Sequence, residues 1–243
     1  KKIYQNTLAQ VNSGEISMQR LDDAVRRILI VKERLGLFSN TQPKNSAFNQ
    51  VGTADHKAVA RKAVRESMVL LKNENVLPLD SNLKVLVVGH AADSLKIQTG
   101  GWTLNWQGTE NTNEDFPKSI SLYEAIKEIV GSNNVRHVQD IIFDTTTYDE
   151  EVKPNYADYD VALVVFGEEP YAEWQGDRGS LSFTQSKQIR QLELLKKADI
   201  PTVSIFFSGR PMWVSKEIEL SDAFVVAWLP GTESRGMTDV IFA

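Results

Sequence analysis

The chain has no cysteine, which removes disulfides, thiolate catalysis and cysteine-ligated zinc from consideration while leaving the compartment open. Histidine is scarce as well. His56, His90 and His137 are scattered without metal-ligand spacing, and no bound metal is expected. Positive charge is not in excess: the formal net charge is −5, so no basic surface awaits a phosphate backbone, and nucleic acid is not an expected partner. No run of about eighteen apolar residues exists, the minimum for a spanning helix, so no membrane partner is expected either. The opening Lys1-Lys2-Ile3-Tyr4-Gln5-Asn6 does not read as an export signal.

What remains is the composition of an ordinary globular chain. With 42% hydrophobic and 24% charged residues over 243 positions, it can bury one large domain, or one domain and a fragment of another. Leu21, Ala24, Val25, Ile28, Leu29 and Leu35 recur at helical spacing, with Ser17 as N-cap and Gly36 as left-handed C-cap. Residues 39 to 52 are rich in Asn, Gln, Ser and Pro and read as a linker. The first helix is therefore expected to be the tail of an upstream domain. A second helix is predicted from Thr53 to Asn73, with Val59, Ala63, Ser67, Leu70 and Leu71 on one face.

Beyond Pro78 the pattern changes. Lys84 to Gly89, Val161 to Gly167, Thr202 to Gly209 and Phe224 to Leu229 are short apolar runs closed by or near glycine, as expected of strands covered on both faces. Helical segments near Ser121–Val130 and Thr184–Ala198 lie between them, and a further strand is predicted near Val135 to Ile142. This alternation predicts an α/β fold with a mostly parallel sheet in a three-layer sandwich and right-handed crossovers. All such strands end on one edge. The segments His90–Gly108, Glu168–Asp177, Gly209–Pro211 and Gly231–Arg235 should share that rim, where ligands bind in open α/β sheets.

Two of these segments have the composition of a sugar site. Glu168, Glu169 and Glu173 stand with Tyr171 and Trp174 in the loop after the Val161 strand, and a glutamate held against those rings would be partly desolvated and suited to proton donation. Gly100 to Gly108 carries Trp102 and Trp106 between glycines, and indole faces suit the apolar faces of pyranose rings. On the residues alone, Glu173 can also be read as a solvated loop carboxylate and the tryptophans as core. Glu168 and Glu169 are expected to be structural, bonding loop amides. Asp177 should fix the loop through turn hydrogen bonds, Arg210 should form an internal ion pair, and Glu233 should start a helix. His90 is expected to hydrogen-bond within the rim. A nucleotide-binding module is disfavoured, because neither G-x-G-x-x-G nor G-x-x-x-x-G-K-[ST] follows Val88, and no cofactor is expected.

These motifs together resemble glycoside hydrolase family 3, in its β-glucosidase and exo-β-glucanase branch. Ala24-Val25-Arg26-Arg27-Ile28-Leu29 and Lys32 to Phe38 are similar to the last helix of that family's barrel domain. Glu66 to Asn73 with Leu77-Pro78-Leu79 resembles the start of its second domain, and Gly100–Gly108, Gly167–Asp177, Ser208–Pro211 and Leu229–Glu233 follow in order. The resemblance implies residues 1–38 as the end of a (β/α) barrel, 39–55 as linker, and 56–243 as an α/β sandwich domain cut short at its C-terminal end. It implies a retaining double displacement on β-glucosides or β-glucan oligosaccharides, with Glu173 as general acid/base and Trp102 and Trp106 on the aglycone side. Glu168, Asp177 and Arg210 would support the loop, and the nucleophilic aspartate would come from the upstream barrel domain. A periplasmic or secreted setting is the family habit. The competing expectation is a non-catalytic carbohydrate-binding or scaffold domain.

Overall fold

The computed structural model describes residues 1–39, 51–141, 155–183 and 186–243. They fall into two compact units, Lys1–Val51 and Gly52–Ala243. In the first, α1 (Lys2–Asn12) precedes α2 (Met18–Arg34). The Ser17 hydroxyl accepts from the Arg20 amide at 3.2 Å, which satisfies one of the free N–H groups of the first turn. Gly36, at φ 71°, reverses the chain after the last turn. No residue of α2 is buried, so its apolar stripe has no cover within this unit.

The second unit is built on one six-stranded sheet in the order β1-β6-β5-β4-β2-β3. Its strands are β1 (Val69–Asn73), β2 (Val85–Val88), β3 (Val135–Val138), β4 (Val161–Gly167), β5 (Thr202–Phe207) and β6 (Ala223–Trp228). Every pairing is parallel except β1 with β6. Side chains alternate between the two faces of the sheet, and both faces are covered. One face, with Val85, Val87, Leu163, Val165, Val203 and Ile205, packs with α3 (Ala54–Ser67), α5 (Leu122–Val130) and α8 (Arg235–Ile241) through Val64, Leu122, Ile126 and Met237. The other, with Leu86, Val88, Val164, Phe166, Phe206 and Phe224, packs with α6 (Ser186–Lys197) and α7 (Ser215–Leu220) through Leu192, Leu195 and Ile218. The result is the expected α/β/α sandwich. The uninterrupted burial of β2, β4 and β5 explains why those runs carry no polar alternation.

The predicted helix over Thr53–Asn73 requires correction. It ends at Ser67, Met68 is extended at ψ 142°, and Val69–Asn73 forms the antiparallel edge strand β1. Val69 pairs with Val226, and the register shifts between Leu70 and Lys72. Leu70 and Leu71, assigned to an inward helix face, are 55% and 51% exposed. Backbone pairing with β6, which a helical continuation would have left unmet, decides the conformation. The region from Asp144 to Tyr159, which the sequence left unassigned, lies mostly outside the described residues.

Candidate active site

The parallel strands deliver their following loops to one edge, as expected, and these loops interlock. After β4, the Glu168 amide donates to the Phe207 carbonyl of β5 at 3.0 Å. That contact turns the Glu168 side chain into a nearly closed environment, with 7% exposure. Its carboxylate accepts from the Ser208 hydroxyl at 2.7 Å, the Tyr171 hydroxyl at 3.2 Å and Arg178 at 3.5 Å. Arg210 Nε lies 3.3 and 3.4 Å from its two oxygens. Glu168 thus bonds side chains from two rim loops, where amides of its own loop had been expected. Arg210 is in an internal ion pair, and it also donates to the Gly176 carbonyl at 2.5 Å and lies 4.0 Å over the Tyr171 ring.

Tyr171 is the point on which the loops converge. A Cβ at Gly176 would stand 2.4 Å from its ring, one at Gly209 2.9 Å from its hydroxyl, and one at Gly101 2.0 Å from its carbonyl oxygen. Three loops approach this residue closely where they carry glycine. Burial raises the Tyr171 phenol pKa, the Glu168 charge adds to the rise, and Arg210 opposes it. The next residue ties in the tryptophan loop: the Ala172 amide donates to Gln107 Oε1 at 2.7 Å. Buried Gln98 connects a further rim segment, since its Nε2 donates to Ser234 at 2.8 Å and to the Gly231 carbonyl at 3.2 Å.

Out of this anchored base projects Glu173, the first residue of a 3-10 turn, Glu173–Gly176. Its backbone is left-handed at φ 51°, uncommon for a residue with a Cβ. The side chain is exposed, and no described residue hydrogen-bonds it. The expected packing of Glu173 against Tyr171 and Trp174 is not found, because Arg210 and Glu168 engage Tyr171 while Trp174 turns toward Trp106. Trp174 meets Trp106 edge-on at 5.1 Å, and Trp106 lies 6.3 Å from Trp102. The three indoles form an open cluster, with Trp102, Trp106 and Trp174 exposed by 67%, 44% and 60%. Both predicted tryptophans are therefore on the rim and out of the core, and Trp106 is the deeper of the two. The backbone pair Trp102 N to Trp106 O at 2.9 Å and left-handed Trp102 and Leu104 hold their loop in a tight turn.

The other candidates are peripheral. Glu169 pairs with Lys96 at 2.9 Å. Asp177 closes the 3-10 turn through its amide, which donates to the Trp174 carbonyl at 3.1 Å, while its side chain is exposed and bonds no described residue. Glu233 precedes α8 and accepts from the Gly236 amide at 2.9 Å. His90 Nδ1 lies 3.3 Å from Gln188 Nε2, and burial lowers its pKa despite the nearby Glu169 and Asp140 charges. Among the described residues, no three of His, Asp and Glu gather as metal ligands, and no helix is long and apolar enough to cross a membrane.

Sequence reasoning did not single out Tyr171 as an anchor, Ser208 and Arg178 as partners of Glu168, Gln107 as the link between loops, or Trp174 as the third indole. The available signal was the set of glycines at 101, 176 and 209, each in a rim loop.

Residues 68–243 match the family model described as the Glycosyl hydrolase family 3 C-terminal domain. Among curated proteins, the chain is 35% identical over 236 residues to the lysosomal beta glucosidase of Dictyostelium discoideum, covering 92% of this chain and 28% of that protein. It is 30% identical over 264 residues to the periplasmic beta-glucosidase of Salmonella typhimurium, covering 96% and 33%. Among solved structures, the exo-1,3/1,4-beta-glucanase of a Pseudoalteromonas species superposes with a TM-score of 0.80 at 41% identity, covering 99% of this chain and 30% of that one. The chain spans about a third of the length of these relatives.

Proposed function

The chain belongs to glycoside hydrolase family 3, and on that premise we propose that it supplies the acid/base half of a retaining β-glucosidase or exo-β-glucanase site. Glu173 protonates the glycosidic oxygen as the aglycone departs, then takes a proton from the water that releases the glycosyl intermediate. The nucleophile is an aspartate of the upstream barrel domain, about 5 to 5.5 Å from Glu173 in the working enzyme, as retention requires. Trp102 and Trp106 hold the aglycone, with Trp174 edge-on beside them. Substrates are terminal β-D-glucosyl residues of β-glucosides or β-glucan oligosaccharides, in a periplasmic or secreted setting.

The observation that carries this reading is the contrast between Glu173 and the residues beneath it. Glu168 is buried and held by four side chains, whereas Glu173 is unpaired among the described residues and stands beside an open tryptophan cluster. A carboxyl that must reach a substrate oxygen has to be free of internal partners yet fixed in position, and the anchored loop provides both conditions. In this reading the barrel and the bound sugar supply the desolvation that an acid requires, since Glu173 is exposed in this unit alone.

The test is Glu173→Gln in the full-length protein, compared on glucosides of poor and good leaving groups. Loss of a general acid costs about 10²- to 10⁴-fold on the poor leaving group, with a much smaller loss in the glycosylation step of an activated aryl glucoside. Equal losses on both would reject the acid role. Retained sugar binding with no hydrolysis by the unmodified protein would favour a binding domain.

A further inference from the structure

Past Trp174 the same loop borders a second hollow, of about 260 Å³, walled by Tyr171 and Phe183 and lined by Gln175, Arg178 and Arg210. It lies just below the roughly 300 Å³ at which small-molecule clefts begin, room for a single ring. Its polar wall has donors in reserve. Arg210 is occupied by Glu168 and Gly176, but Arg178 meets Glu168 only at 3.5 Å and is 40% exposed. A guanidinium offers five N–H donors in a plane. The side chain of Gln175 is exposed and bonds no described residue.

Trp213 stands next to this hollow without a packing role. It is 71% exposed, more than any of the three clustered indoles, and stacks on no described aromatic ring. Its backbone is nonetheless fixed. The Trp213 amide donates to the Leu181 carbonyl at 2.9 Å, and the Phe183 amide donates to the Trp213 carbonyl at 3.1 Å. This pairing sets Trp213 beside Phe183, which walls the hollow. An exposed indole on a rigid backbone, a small cleft and unengaged planar donors together make a surface for a polar ring with an apolar face. The surface continues the tryptophan cluster, because Trp174, in contact with Trp106, is followed directly by Gln175.

We infer that this hollow and Trp213 form a distal saccharide subsite, receiving glucosyl units of a β-glucan chain beyond those held at Trp102 and Trp106. The inference rests on the hydrolase reading given above. In it, Arg178 and Gln175 donate to ring hydroxyls and Trp213 covers an apolar sugar face, so the subsite rewards longer chains without touching the scissile bond.

The experiment is calorimetric titration of full-length protein carrying Glu173→Gln with a β-linked glucotetraose and the matching glucobiose, with and without Trp213→Ala. Affinity for the tetraose should fall roughly five- to tenfold and affinity for the biose by less than twofold, with Trp213→Phe recovering most of the tetraose affinity. Equal losses for the two sugars, or no loss for either, would overturn the subsite. If the Glu173→Gln protein still turns over the tetraose, the acid/base reading has failed separately. The subsite is then judged from the tetraose-to-biose ratio of kcat/KM in otherwise unmodified protein, where a fall with Trp213→Ala supports it and an unchanged ratio overturns it.

Discussion

Glu168 and Glu169 are neighbours in sequence, yet their replacement should have very different consequences. Glu168→Ala removes a carboxylate that is 7% exposed and leaves Arg210, itself 20% exposed, without its anion. Breaking a buried pair from one side costs about 3 to 5 kcal/mol when the remaining charge is stranded. Here the cost is moderated, because Arg210 keeps the Gly176 carbonyl and the Tyr171 ring, and the Ser208 hydroxyl can turn wholly to the Arg210 carbonyl, 2.7 Å away. We expect a loss of about 2 to 3 kcal/mol for Glu168→Ala, and about 1 to 2 kcal/mol for Glu168→Gln, which retains a neutral acceptor. Glu169→Ala breaks only its pair with Lys96, where Glu169 is 57% exposed, and should cost about 0 to 1 kcal/mol. The assay is urea unfolding followed by tryptophan fluorescence, compared at constant m. All five tryptophans lie after Val51, so the signal reports the sandwich unit. A cost below about 1 kcal/mol for Glu168→Ala, or a cost no greater than that of Glu169→Ala, would refute the argument that this network holds the loop.

Two further outcomes follow from the geometry. Gly101→Ala would bring a Cβ to 2.0 Å from the Tyr171 carbonyl, where backbone must move, whereas Gly179→Ala meets nothing within 4 Å. The first should destabilise by about 1 to 3 kcal/mol and lower kcat by displacing Glu173, and the second should do neither; wild-type activity in Gly101→Ala would contradict the close approach. Burial holds the His90 pKa below its ordinary value of 6.5, so the unfolded chain binds protons first on acidification. His90 therefore makes stability fall as pH drops through 6.5 toward the lower folded value, with no further loss below it. In urea midpoints between about pH 7.5 and 5, His90→Gln should flatten this slope, and parallel slopes would show that His90 is not its source.

The central strands were legible because a strand buried on both faces must be apolar throughout: Val161–Phe166 could scarcely be anything else. The edge was not legible. Val69-Leu70-Leu71 continues the helical spacing of Val59 and Ala63, and only pairing with Val226, more than 150 residues away, makes it a strand. Distance in sequence also hid the anchor of the site. Glu168 meets Ser208 and Arg210 across the β4-to-β5 crossover, so their partnership depends on strand order, which local composition does not encode. Trp102 and Trp106 could be placed together on a rim by their glycine-flanked motif, but Trp174 joins them only because the Ala172–Gln107 bond draws the two loops together.

The convergence of three glycine approaches on one tyrosine has a consequence for protein engineering. The segment from Glu168 to Arg178 is not a portable cassette: moved alone into another α/β scaffold, it would meet side chains where residues 101 and 209 now leave room. A transplant that preserved the projecting carboxylate would have to bring pieces of three separate loops, and natural drift in any of them is restrained by the same shared tenant.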